Sequence, residues 1–119
     1  VGESGLDYHY NFSSHEDQHA SFRKHIRVCR DADMPLVVHA READDDIIRL
    51  ITEETNGKGM RGIMHSFSSS EKMCDEALEL GFHISFSGMI TFKKADELRA
   101  IAAKVPLDRL LVETDAPYL

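Results

Sequence analysis

Four side chains able to hold a divalent cation occupy matching places in this sequence. Glu3 ends the opening strand-like run, His39 follows Leu36-Val37-Val38, and His65 follows Gly62-Ile63-Met64. Asp115 comes just after Leu110-Leu111-Val112. A mixed imidazole and carboxylate set suits Zn²⁺ or Mn²⁺, and Mg²⁺ where carboxylates and water dominate. Two such ions about 3.5–4 Å apart can activate a water and stabilise the leaving oxygen of a phosphodiester. Each residue also has an ordinary use. A lone histidine at a strand end is commonly a hydrogen-bonding or core residue, Glu3 could bond loop amides, and Asp115 could cap the turn made by Ala116-Pro117. Recurrence at the ends of four independent apolar runs is what such ordinary uses do not predict.

Those runs must be brought together by the elements between them. Ser13 or Ser14, with Glu16 or Asp17 three residues on, forms a capping signature. It opens a helix to about Asp33 whose stripe is Phe22, Ile26, Cys29 and Ala32. Pro35 ends it. A second helix spans about Glu42 to Thr55, with Ile47, Ile48, Leu50 and Ile51 inward and Asp44, Asp45 and Asp46 in the first turn, where the helix dipole favours anions. Ser68 or Ser69 starts a third, with Met73, Ala77 and Leu80 inward and Gly81 as its stop. Thr91 starts a fourth, with Ala95, Leu98, Ile101, Ala102 and Val105 inward. Phe82–Phe86 supplies one more strand. The order β-α-β-α-β-α-β-α-β implies parallel strands joined by crossovers, buried on both faces, with all their C-terminal ends on one side. Either an open doubly wound sheet or part of a (β/α)8 barrel fits, and no GxGxxG or P-loop follows the first run.

Further candidates lie near the same mouth. Asp7 and His9 in the first loop could orient ligands or contact substrate. Arg41 could meet a phosphate, or pair with Glu42 or Asp44. Ser66, Ser68, Ser69 and Ser70 could bind phosphate at a helix N-terminus, or simply cap it. His15, His19, Asp44–Asp46 and Glu53-Glu54 read as solvated helix surface, and His25 and His83 as structural.

Composition narrows the class. The chain has 119 residues, 42% hydrophobic and 29% charged, which suits one globular domain over 1–119 with a modest core. No apolar run approaches the length of a membrane span, so no membrane partner is expected, and a cytoplasmic location is. Cys29 and Cys74 lack metal or redox spacing and read as buried thiols in a reducing compartment. A net charge of −7 argues against a nonspecific nucleic-acid binder, unless bound divalent cations reverse the local sign. A chain that opens with Val1 on a strand-like run and closes on another is expected to be a piece of a longer polypeptide.

Gly2-Glu3-Ser4-Gly5-Leu6-Asp7-Tyr8-His9, Pro35-Leu36-Val37-Val38-His39-Ala40-Arg41-Glu42-Ala43, His65-Ser66-Phe67-Ser68 and Glu113-Thr114-Asp115-Ala116-Pro117-Tyr118-Leu119 together resemble the TatD family of metal-dependent deoxyribonucleases. The resemblance implies an α/β fold, a partial (β/α)8 TIM barrel with about five parallel strands alternating with four helices. It implies divalent metal ions, two per complete site, drawn from Mg²⁺, Mn²⁺ or Zn²⁺, with DNA as substrate and no protein partner. By motif match Glu3 is the carboxylate shared between metals, His39 and His65 ligate one metal, and Asp115 ligates the other and handles a proton. Arg41 and His9 are then substrate candidates. The His-x-His pair of the family's first strand does not occur in this sequence, and the matching region is roughly half of a barrel of ~250 residues. An ester or amide hydrolase, such as an aminoacyl-tRNA deacylase, and a catalytically silent fragment are the alternatives.

Overall fold

The computed structural model describes residues 1–119. Its strands are β1 (Ser4–Asp7), β2 (Leu36–Arg41), β3 (Gly62–Met64), β4 (Phe82–Phe86) and β5 (Leu110–Val112). Between them run α1 (His15–Ala32), α2 (Asp44–Thr55), α3 (Glu71–Glu79) and α4 (Asp96–Lys104). Capping explains the helix starts. Ser14 accepts from the Asp17 amide at the head of α1, and Ser70 accepts from Met73 at the head of α3. The cap of α3 is therefore Ser70, one residue past the candidates named from sequence. Thr91 belongs to a short 3-10 turn over Gly88–Thr91, and α4 begins only at Asp96. Glu3 does not end the first strand; it precedes it, because β1 pairs with β2 only from Ser4 onward.

All five strands are parallel and lie in the order β1-β2-β3-β4-β5. A doubly wound sheet reverses its order at a switch point and carries helices on both faces. Consecutive order with one helical layer is the arrangement of a barrel arc. Alternation shows which face the helices cover. Leu6, Leu36, Val38, Met64, Phe82, Ile84 and Phe86 are buried and form one core with Phe22, Ile26 and Cys29 of α1, Ile47, Leu50 and Ile51 of α2, and Met73, Cys74 and Ala77 of α3. The other face presents Val37, His39, Ile63, His65, His83 and Leu111, and of that face's strand residues only Ser85 is fully buried. Burial on both faces, expected from the apolar runs, is thus not found. Val112 is 83% exposed at the outer strand.

Two glycines set how closely strands approach. A Cβ on Gly5 would stand 1.9 Å from the His39 carbonyl oxygen, and one on Gly62 would stand 2.2 Å from the Phe82 ring. Any larger residue at Gly5 must displace the backbone of His39.

Helices α1 and α2 are clamped by charge as well as by apolar packing. Arg23 donates to Glu53 at 2.6 Å and to Glu54 at 2.9 Å, and Arg27 donates to Glu54 at 2.7 Å. Glu54 was expected to be solvated, yet its side chain is only 9% exposed. The hydrogen bond from Arg27, outweighing burial and joined by Arg23, holds the Glu54 carboxyl at about 2, against an ordinary 4.5. A depressed carboxyl pKa adds stability that is present above about pH 4.5 and is lost as the pH falls towards 2. Glu54→Gln is expected to cost about 1 kcal/mol at pH 7, since both arginines are partly solvated. Urea unfolding at pH 7, 4 and 2.5 should show the gap from the parent protein closing with acid; a gap independent of pH would remove the clamp from the acid response.

Candidate metal centre

Period-two alternation places the chemistry on the helix-free face. Glu3, Gly5 and Asp7, then His39 and Arg41, then His65, then Glu113 and Asp115 all fall on alternate positions that point away from the core. Register aligns them further: Gly5 pairs with His39, and the His65 amide bonds the Val38 carbonyl, which brings His65 level with His39. Glu113 continues β5 by one bond, its amide donating to Phe86 at 3.0 Å. The closing turn is fixed around Asp115, whose amide donates to Leu119 and whose carbonyl accepts from Tyr118 and Leu119.

The side chains converge on Glu3. Its Oε2 lies 2.9 Å from His65 Nε2 and 3.9 Å from His39 Nδ1. Asp115 Oδ1 stands 3.5 Å from the same His65 nitrogen. The far nitrogen of each ring is taken by another carboxylate. His39 Nε2 donates to Asp7 Oδ2 at 2.9 Å, and His65 Nδ1 to Glu113 Oε1 at 2.5 Å. Glu113 is itself fixed by the Ser66 amide at 3.2 Å. In the tautomer that donates outward to Asp7 and Glu113, the inner nitrogens face Glu3 and Asp115 as acceptors. Several acceptors facing one another repel unless a cation lies among them, so this donor set fits a divalent metal. Its nitrogen and oxygen mixture fits Zn²⁺ or Mn²⁺. His65, Glu113 and Asp115 also offer three ligand atoms within 4.8 Å of one another, which makes Glu113 either a ligand or the orienting partner of His65.

Sequence reasoning passed over Glu113 as a site residue and left Asp7 undecided. The signal for Glu113 was its spacing: two residues from Asp115 on an extended run, it shares that residue's face. Asp7 ties two parts together, since its Oδ2 takes His39 and its Oδ1 takes the amides of His9 at 2.9 Å and Tyr10 at 3.1 Å. Burial raises the Asp7 carboxyl, but the hydrogen bond from His39 and those from the Tyr10 and His9 amides outweigh it and hold it below the ordinary range.

The substrate candidates lie beside this cluster and touch none of its four expected ligands. The His9 ring nitrogen is 3.6 Å from Glu42, and its ring meets Tyr10 edge-on. Arg41 pairs with neither Glu42 nor Asp44; its guanidinium lies 5.1 Å over the Tyr10 ring. Three of the four serines after His65 serve structure: Ser66 bonds Ser87, Ser69 donates to Asp44 and Ser70 caps α3, while Ser68 is exposed. His15 and His19 are not simply solvated. His15 stacks on Tyr8 at 3.7 Å, while the Tyr8 hydroxyl donates to Asp46 at 2.6 Å and lies 2.5 Å from His19 Nε2. No helix is long and apolar enough to cross a membrane.

Comparison with known proteins identifies the family and the fold. The profile of the family described as TatD related DNase matches residues 1–119. The uncharacterized metal-dependent hydrolase YcfH of Escherichia coli K12 is 44% identical over 119 residues, all of this chain and 44% of that protein. The 3'-5' ssDNA/RNA exonuclease TatD of Pectobacterium parmentieri is 37% identical over 120 residues, covering all of this chain and 46% of that one. Among solved structures, the TatD homologue YjjV of E. coli K12 superposes with a TM-score of 0.85 at 32% identity, over 98% of this chain and 44% of that chain. The chain thus spans somewhat under half the length of the curated relatives it matches, as an arc of their barrel.

Carboxylates that orient metal-binding imidazoles typically contribute about 10–100-fold to metal affinity. Asp7→Asn and Glu113→Gln are each expected to weaken Mn²⁺ or Zn²⁺ binding by that factor in calorimetric titration. Ser69→Ala, whose hydroxyl serves Asp44, should leave affinity unchanged. Parental affinity in both carboxylate variants would exclude Asp7 and Glu113 from the site.

Proposed function

The chain belongs to the TatD-related DNase family, and on that premise we propose that it serves a divalent-metal-dependent nuclease that hydrolyses phosphodiester bonds of DNA. The observation that supports this reading is the convergence of two imidazoles on Glu3, each with its far nitrogen held by its own carboxylate. The chain's curated relatives include proteins named only as uncharacterized metal-dependent hydrolases and others named 3'-5' ssDNA/RNA exonuclease.

A divalent cation bound among these groups would supply Lewis acidity towards a phosphoryl oxygen and acidify a water. The protein's own residues supply the rest. Glu3, which faces both rings, would hold the cation together with His39 and His65. Asp7 fixes the His39 ring so that Nδ1 faces Glu3, and Glu113 fixes the His65 ring so that Nε2 does. Asp115, on the same face and half-exposed at the mouth, accepts a proton from the attacking water as its oxygen bonds to phosphorus. The bond from phosphorus to the leaving oxygen breaks, and that oxygen takes up a proton from Asp115 or solvent as the alcohol product forms. Arg41, at the same end of the sheet, is the available cation for a non-bridging phosphate oxygen.

Initial rates on a single-stranded DNA oligonucleotide, on bis(p-nitrophenyl) phosphate and on an aminoacyl ester, with Mg²⁺ or Mn²⁺, test the proposal. Turnover of the two phosphodiesters is expected. His39→Ala and Asp115→Asn should each lower it by more than about 100-fold, beyond what orienting carboxylates contribute. Ester cleavage without phosphodiester cleavage would move the activity to the alternative bond class. Undiminished turnover by His39→Ala would sink the metal role.

A further inference from the structure

Two aromatic rings stand in solvent on the loop that follows β1. Phe12 is 91% exposed and Tyr10 53%. They lie parallel, with centroids 5.4 Å apart and planes 4° from coincident. The Arg41 guanidinium sits over the Tyr10 ring at 5.1 Å and the His9 ring meets it edge-on at 4.8 Å. Guanidinium, phenol and phenyl thus form one short pile whose last member, Phe12, has most of its surface free.

The loop that carries the pile is held by hydrogen bonds. Asp7 Oδ1 accepts the His9 and Tyr10 amides, while the same carboxylate's other oxygen takes His39. Asn11, in the left-handed region at φ 52, donates to the Tyr8 carbonyl. Gln18 donates to the carbonyls of Asp7 and Ser13, and so spans the loop's two ends. A single carboxylate therefore indexes the rings to a metal-facing imidazole, and the loop is ordered before anything binds, which lowers the entropy cost of binding.

We propose that Phe12, backed by Tyr10 and Arg41, is a stacking platform for one nucleobase of a single-stranded nucleic acid entering the metal centre. This rests on the nuclease reading for its substrate class. Two observations select this occupant. With 21 acidic and 14 basic residues, net charge does not favour a polyanion, so contacts that are not coulombic must add to those of a bound cation and Arg41. Base faces supply such contacts and tolerate any sequence, and only a single strand leaves a base face open. Arg41 then serves both the pile and the adjoining phosphate, through its flat face and its edge respectively. Phe12 is a positioning residue: it sets where the strand lies and takes no part in bond cleavage.

The test separates binding from cleavage. A single-stranded oligonucleotide carrying 2-aminopurine is titrated with the protein in EDTA, where no hydrolysis occurs. Stacking on the platform should quench the fluorescent base. Phe12→Ala should abolish the quench and weaken binding about tenfold or more, and Phe12→Leu, which keeps an apolar group but no ring, should do nearly the same. With Mn²⁺ present, Phe12→Ala should raise KM for the oligonucleotide by more than it lowers kcat. Phe12 packs on no core residue, so the unfolding midpoint should stay at the parental value. An unquenched parent protein, or equal quench and affinity in Phe12→Ala, would overturn the platform. Absence of phosphodiester turnover in the parent would overturn the nuclease reading instead, and leaves the EDTA result to decide the platform by itself.

Discussion

Everything at the candidate site depends on the register of three parallel strands. Gly5, His39 and His65 lie level across β1, β2 and β3. A shift of one residue in any pairing would turn that strand's ligand into the core and its apolar neighbours into the open face. The core side enforces the register, because Leu6, Val38 and Met64 are each buried against the helices. Burying apolar area on one face thus fixes the chemistry on the other. Gly5 completes the constraint by letting the first two strands approach where a Cβ would strike the His39 carbonyl.

The cluster is acidic in a way that ordinary packing would avoid. Glu3, Asp7, Glu113 and Asp115 surround two imidazoles with no lysine or arginine bonded to any of these four carboxylates. Between α1 and α2, by contrast, Glu53 and Glu54 are neutralised by Arg23 and Arg27. The contrast has a physical reading: one group is built to be closed by the protein itself, the other to be closed by something that arrives. Net negative charge and a polyanionic substrate are compatible on the same terms, since a bound divalent cation reverses the local sign.

Asp7 ties the first loop to the candidate site: one oxygen holds the His39 ring and the other holds the His9 and Tyr10 amides of the aromatic loop. Beneath that loop, Tyr8 joins α1 to α2 through His19 and Asp46, so the loop is also braced from the helical layer. Asp46 is held below the ordinary carboxylate range, first by the Tyr8 hydroxyl and, against the opposing effect of burial, also by Arg49.

Much of the architecture was legible in the sequence. Helix periodicity located Phe22, Ile26 and Cys29 as a buried stripe, and apolar runs marked β2 to β5 with His39, His65 and Asp115 following three of them, whereas β1 falls on Ser4–Asp7, which reads as loop, and Glu3 precedes that strand rather than ending it. These are local signals, carried by period and by neighbours. What remained hidden was pairwise and distant. Glu54 reads as surface until Arg23 and Arg27 arrive from another helix, and Asp46 does so until Tyr8 reaches it. Glu113 reads as a strand-end carboxylate until His65 meets it. Sequence by itself determined which residues could lie on which face. Only the tertiary structure decided which of them meet, and that each imidazole would have one nitrogen held and one left facing Glu3, because those contacts depend on strand register and helix packing between residues far apart in the chain.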